Sequence, residues 1–189
     1  MRVIAGLLKG RRLERVDTSD IRPTSDMVKE ALFSILSDKV INCSFLDLFA
    51  GSGSVGIEAF SRGADEVVFI DSSSESIKVL KRNLNITGLK EGIEVYNTEY
   101  SNAINKLRSR SKKFDIIFID PPYNKCIPVE AMKRIFENNV LSQNGIIVVE
   151  HDIRDSMPEE VNSFVLHKRK KYGNTHLSFY MNSEDDRED

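Results

Sequence analysis

Tryptophan is absent from this chain of 189 residues, and cysteine, histidine and proline are scarce, at two, three and five. Cys43 and Cys126 lie far apart and form no C-x-x-C pair, so neither a disulfide framework nor a zinc site is expected. His151, His167 and His176 show no metal-ligand spacing, and no metal is expected there either. No apolar run approaches the length that crosses a membrane, which removes a membrane-spanning reading. The mildly apolar start, Met1 to Leu8, is followed by Lys9, Arg11 and Arg12, the reverse of a secretory signal, so a cytoplasmic location is expected. What remains is a chain with 40% hydrophobic and 30% charged residues, the balance of a soluble globular domain. Its length fits one domain over residues 1–183, with an N-terminal arm and helix in 1–40 and a core in 44–183.

The net charge of −2 hides an asymmetry. Residues 184–189 hold five acids and one arginine, a composition that reads as a disordered acidic tail. Residues 1–15 hold Arg2, Lys9, Arg11, Arg12 and Arg15 against Glu14 alone, and Lys168-Arg169-Lys170-Lys171 forms a second basic run. Such patches suit phosphates, although a run of charge is more often only a solvated face.

Read in order, residues 2–16 suggest short strands or an extended arm, with Gly6 and Gly10 allowing turns. Pro23 disfavours helix just before it, and Thr24, Ser25 or Asp26 can cap a helix just after. Met27, Val28, Ala31, Leu32, Ile35 and Leu36 recur at helical spacing over about three turns. A buried strand, Ser44 to Ala50, then runs into Gly51-Ser52-Gly53-Ser54-Val55-Gly56, which matches G-x-G-x-x-G. The next strand, Glu66 to Ile70, ends in Asp71. Strand, glycine loop, helix and acid in this order suit a nucleoside-type cofactor, with glycines admitting it and the acid accepting from ribose hydroxyls. The motif does not choose between a dinucleotide and S-adenosylmethionine.

The alternation continues with helices near 75–86, 103–107 and 129–136 and strands at 93–96, 114–119 and 146–149. Two strands, 162–170 and 175–181, joined through Tyr172-Gly173-Asn174, finish the sheet as an antiparallel hairpin. The strand Phe114–Ile119 stops at Asp120-Pro121-Pro122-Tyr123. Prolines cannot donate to a ladder and fix their own φ, so the turn is stiff. It aims a carboxylate, carbonyls and a flat ring at the crevice where open α/β sheets bind ligands. Those groups suit a planar substrate bearing an amine: the carboxylate and a proline carbonyl accept its two N–H bonds, and the ring stacks on its face.

The pieces Arg2-Val3-Ile4-Ala5-Gly6, Arg22-Pro23-Thr24-Ser25-Asp26, Asp47-Leu48-Phe49-Ala50-Gly51-Ser52-Gly53, Glu58-Ala59-Phe60-Ser61-Arg62-Gly63-Ala64, Asp120-Pro121-Pro122-Tyr123 and Tyr172-Gly173-Asn174-Thr175 together resemble one family. It is that of the bacterial RsmD-type 16S ribosomal RNA guanine-N2 methyltransferases, and the resemblance runs from Arg2 to Tyr180. It implies an α/β fold, Rossmann-like and of the class I methyltransferase type: a seven-stranded, mostly parallel sheet with an antiparallel C-terminal hairpin. It implies S-adenosyl-L-methionine as cofactor, with Asp47, Phe49, Ala50, Gly51, Ser52 and Gly53 around its methionine end, Asp71 at its ribose and Glu99 near its adenine. The second-strand acid, often Glu in the family, is Asp here, and residues 97–102 depart from the family pattern.

The catalytic set implied is Asp120, Pro121, Pro122 and Tyr123, with Arg2, Lys9, Arg11, Arg12 and Arg22 holding RNA. The implied reaction methylates the exocyclic N2 amine of one guanine, guanine 966 by family analogy, in 16S rRNA. The partner is the small ribosomal subunit or its assembly intermediate, and the protein is expected to act as a monomer without membrane or metal. Three other readings stay open on the sequence: an amino-directed enzyme of adenine N6, a nicotinamide-dependent oxidoreductase, and a non-catalytic RNA-binding assembly factor.

Overall fold

Strands rich in Val, Ile and Phe with no polar alternation belong inside a parallel sheet covered on both faces. That is the arrangement found. The structure, a computed structural model, describes residues 1–16, 25–122 and 126–183. Strands β1 (Ser44–Asp47), β2 (Glu66–Asp71), β3 (Ile93–Asn97), β4 (Phe114–Ile119) and β5 (Leu141–Asp152) are mutually parallel. Strands β6 (Glu160–Val161), β7 (Phe164–Tyr172) and β8 (Thr175–Asn182) join antiparallel, giving the order β3-β2-β1-β4-β5-β8-β7-β6.

Helices α1 (Asp26–Leu36), α2 (Ser54–Ser61) and α3 (Ser74–Thr87) contribute to one core, which also takes Val3, Leu8 and Leu13 of the arm. Helices α4 (Tyr100–Ser109) and α5 (Ile127–Asn138) fill the other face with Ala103, Ile104, Leu107, Ala131, Met132 and Ile135. The chain winds outward from β1 to β3 and then returns to β4, so the order reverses between β1 and β4. The carboxyl ends of those two strands flank the crevice where such sheets bind ligands.

Several boundaries differ from the sequence reading, and three bear on the sheet and the site. The sheet has eight strands rather than seven: Asn162 adopts φ 56° and turns the chain, so Val161 pairs back on Phe164 and a two-residue strand is added. Asparagine tolerates that left-handed conformation better than most residues. Strand β5 extends past Glu150 because β8 pairs with it as far as His151↔His176 and Asp152↔Thr175. The first strand stops at Asp47, three residues short of Ala50, where the backbone leaves the ladder for the glycine loop. Ser25 is the cap of α1, its side chain accepting from the Val28 N–H at 3.2 Å. The acidic tail 184–189 lies outside the described residues.

Candidate active site

The exit of β1 is held from both neighbours. Leu48 N–H donates to the Phe118 carbonyl of β4 at 3.0 Å, and Ala50 N–H donates to the Ile70 carbonyl of β2 at 2.8 Å. The loop then turns through Gly51 (φ 54°) and Gly53 (φ 81°), a region that costs residues with a side chain about 1–2 kcal/mol. The two glycines serve different ends. A Cβ at Gly53 would lie 2.2 Å from Leu80 Cδ1, so this glycine allows the loop to close on α3. A Cβ at Gly51 would meet nothing within 4 Å, so its missing side chain leaves open space over the loop.

Asp71, twenty residues on, touches that loop directly. Its Oδ2 accepts from Gly51 N–H at 2.7 Å and its Oδ1 from Ser73 N–H at 2.8 Å. The acid expected to meet a ribose therefore also clamps the glycine loop to β2. Each oxygen takes one of these bonds and keeps a further lone pair for a ligand. Burial raises its pKa, the two amide bonds oppose the rise, and the charge of Glu99 adds to it.

Asp47 is 2% exposed, and its Oδ2 accepts from Gly56 N–H at 3.1 Å in the first turn of α2. Desolvation pushes its carboxyl up to about 7; the Gly56 bond opposes this, while the charges of Asp120 and Asp71 reinforce it. Asp120 follows the last residue of β4 and is half-buried, as is Pro121, while Pro122 is exposed. Asp71, Asp47 and Asp120 thus stand at the ends of three adjacent strands, β2, β1 and β4, close enough for the charges of Asp71 and Asp120 to be felt at Asp47. Glu99, exposed at the start of α4, adds a fourth carboxylate on the β3 side.

Phe49 is half-buried, with its ring 5.4 Å from that of Tyr100 and tilted by 46°. The pair makes an aromatic wall between the β1 exit and the start of α4. Tyr100 was not singled out in the sequence; its place beside Glu99 was the only signal. Asn83 of α3 gave no signal at all. Its Nδ2 donates to the Ser52 carbonyl at 2.8 Å and to the Glu14 carbonyl at 3.1 Å, and its Oδ1 accepts from Glu14 N–H at 2.8 Å. One buried amide thus ties the arm, the glycine loop and α3 together.

The arm closes on itself through Val3 N–H to Arg11 O and Gly10 N–H to Val3 O, both 2.9 Å, and it is docked by a buried polar cluster. Glu58 accepts from the amides of Ile4 (2.7 Å) and Ala5 (3.0 Å) and pairs with Lys29 at 3.5 Å and Arg62 at 2.8 Å. Lys29 in turn donates to the Arg2 carbonyl at 2.8 Å. Burial lowers the Lys29 pKa, and the Glu58 and Asp26 charges oppose that drop. Gly6 lies so close to Ser61 that a Cβ would fall 1.7 Å from its carbonyl oxygen. Docked this way, the arm leaves Arg2, Lys9, Arg11 and Arg12 exposed, with Arg2 also 3.6 Å from Asp26. Tyr123 and Arg22 lie outside the described residues. Among the described residues no group of three or more His, Cys, Asp or Glu side chains could hold a metal ion.

Comparison with known proteins gives one consistent picture. A family profile described as conserved hypothetical protein 95 matches residues 1–181. YlbH of Bacillus subtilis is 38% identical over 180 residues, spanning 95% of this chain and 98% of that protein. The protein named ribosomal RNA small subunit methyltransferase D of Haemophilus influenzae is 36% identical over 183 residues, spanning 96% and 94%. Among solved structures, yhhF of Escherichia coli superposes with a TM-score of 0.82 at 28% identity, over 96% of this chain and 97% of that one.

Proposed function

This chain belongs to the RsmD family, the one described as conserved hypothetical protein 95, and from that premise we propose that it is a small-subunit rRNA methyltransferase directed at a guanine N2 amine. The observation that carries the cofactor is the ring of carboxylates, Asp47, Asp71, Asp120 and Glu99, around an open glycine loop. S-adenosylmethionine brings a sulfonium and an ammonium to such a site, both attracted by the acids. A dinucleotide would bring a pyrophosphate, which they repel, and the first turn of α2, where a pyrophosphate usually binds, already donates to Asp47. The nicotinamide reading therefore falls behind. Gly51 leaves room for the amino-acid end, Asp71 has lone pairs for the ribose hydroxyls, and the Phe49–Tyr100 wall beside Glu99 offers an apolar face to adenine.

The cofactor would supply an electrophilic methyl group, and the chain's own residues would prepare the acceptor. The lone pair of a guanine amine is delocalised into the ring, which makes the nitrogen a poor nucleophile. Accepting its two N–H bonds at the Asp120 carboxylate and the Pro121 carbonyl favours a pyramidal nitrogen with its lone pair aimed across the crevice. Catalysis is then mainly orientation and fixed electrostatics. Asp120 need not be a strong base, because the nitrogen becomes acidic once methylated. Tyr123 stacks on the extruded base, a contact worth ~1–3 kcal/mol by analogy with single-strand binders. Arg2, Lys9, Arg11, Arg12 and Arg22 hold phosphates.

The test is transfer of labelled methyl groups to small ribosomal subunits that lack the modification, followed by nucleoside digestion. One N2-methylguanosine per subunit is the expected result. N6-methyladenosine would keep the chemistry and overturn the substrate. No label, with S-adenosylmethionine bound, would overturn the enzyme reading in favour of an assembly factor.

A further inference from the structure

The basic run Lys168–Lys171 looked in the sequence like an ordinary solvated face. Its placement in the sheet gives it a direction. Register carries the level of the Asp120 turn across to it: Ile119 pairs with Val149, Val149 with Ser178, and Ser178 with Arg169. One row further on, Glu150 pairs with Leu177 and Leu177 with Lys170. The run therefore stands at the same edge of the sheet as Asp120. It lies three strand spacings away, about 14 Å at ~4.8 Å per strand.

A bulge decides which cations face which way. Between Leu166 and Lys168 the register slips by one residue. Leu166 stays on the Tyr180 side, packed against the α4–α5 core, while Lys168 pairs with Phe179 and Lys170 with Leu177. Phe179 and Leu177 belong to the opposite core, the one that holds Val3, Leu8 and Leu13 of the arm. The bulge thus re-aims two lysines onto the sheet face of the basic arm, a use to which bulges are often put.

Arg169, between them, is fastened into the fold, donating to Ser178 Oγ at 3.0 Å and to the Met157 carbonyl at 2.9 Å. Lys168 and Lys170 are exposed, and among the described residues neither forms an ion pair. Other exposed cations do so: Arg82 with Glu14, Arg110 with Glu94, Lys133 with Glu130.

We propose that Lys168 and Lys170 form a second phosphate-holding surface for single-stranded RNA, across the rim from Asp120 and on the arm's face of the sheet. The inference rests on the rRNA reading above and names residues that reading leaves unused. A target base drawn into the crevice leaves its flanking backbone along the rim, where two exposed lysines two rows apart can each take a phosphate. The rival explanation is that lysines on the part of β7 beyond its short pairing with β6 only prevent edge-to-edge pairing of copies.

Binding of an unmodified 16S rRNA fragment is measured against salt for the wild type, for Lys168→Gln/Lys170→Gln, and for a control pair, Lys90→Gln/Lys113→Gln. The control removes the same charge just before the amino ends of β3 and β4, away from the rim where Asp120 stands. Loss of two phosphate contacts flattens the log–log slope by about 1.4, at about 0.7 per contact for a single strand. The control slope should match wild type, and binding of S-adenosylmethionine should be the same in all three. Equal slopes for the rim and control pairs overturn the proposal, and self-association of the rim variant with an unchanged slope assigns the lysines to edge protection instead. If the wild type itself transfers no methyl to subunits, the rRNA reading has failed and the rim assignment falls with it.

Discussion

The two sides of the crevice are stiffened by different means. On the glycine-loop side nearly every polar group is tied by a hydrogen bond: Asp47 to Gly56, Asp71 to Gly51 and Ser73, Asn83 to Ser52. On the Asp120 side the chain adds a stiffness of its own, two prolines that fix φ just after a buried strand. The first arrangement holds a shape that any occupant must fit, at the cost of burying acids. The second presents a carboxylate at a fixed place with less burial. A site that must both retain a cofactor and aim an acceptor can use the two in parallel.

That contrast can be broken from either side. The largest effect is expected from Asp120→Ala, which should cut methyl transfer by about 10³-fold, near 4 kcal/mol in the barrier, with S-adenosylmethionine affinity nearly unchanged. Calorimetry beside single-turnover transfer checks both halves, and retained transfer would remove Asp120 from the chemistry.

Next comes Glu58→Ala, which leaves Lys29 buried without its partner and strips the amides of Ile4 and Ala5 of their acceptor. Breaking a buried pair in this way costs about 3 kcal/mol or somewhat more. Urea unfolding should show it, and hydrogen exchange should quicken in residues 3–11 first. An unchanged midpoint would mean that the docked arm adds nothing to stability.

The two glycines sharpen the comparison within one loop. Gly53→Ala drives a Cβ to 2.2 Å from Leu80 Cδ1 and should destabilise by about 2 kcal/mol, read as a lower melting temperature. Gly51→Ala meets open space, should cost only about 1 kcal/mol of backbone strain, and should instead weaken cofactor binding. If Gly51→Ala binds the cofactor like wild type, the open space over Gly51 is not where the cofactor lies.

A last effect is small per pH unit and accumulates across a window; it concerns Asp47. Its folded carboxyl titrates at about 7 against an ordinary 3.8. Between those values the folded protein keeps a proton that the unfolded chain has released. Stability should therefore fall as pH rises through that window, by up to about 1.4 kcal/mol for each unit. Asp71 is raised as well and adds to the same trend. Asp47→Asn can still accept from Gly56 and should flatten the slope; unfolding free energies between pH 4 and 7 would show whether it does.

The sequence by itself determined the order of the main elements and which acids stand at the strand ends. Strand-length apolar runs, helical spacing and the glycine loop are local properties, read from a few neighbouring residues. They placed β4 at Phe114–Ile119 without error, narrowed the cap of α1 to three residues that include Ser25, and found the turn at Gly173. The resemblance to a family came from the same local motifs.

What only the tertiary structure decided was which groups meet. Asn83 bridging Ser52 and Glu14, Tyr100 against Phe49, and Glu58 receiving the arm all join residues brought together by the winding of the sheet. The eighth strand and the length of β5 depended on partners supplied by the hairpin. The direction of Lys168 and Lys170 depended on a one-residue slip in register. A strand's side-chain period is two, so such a slip changes faces. That slip lies in the pairing of two strands, and no single stretch of sequence carries it.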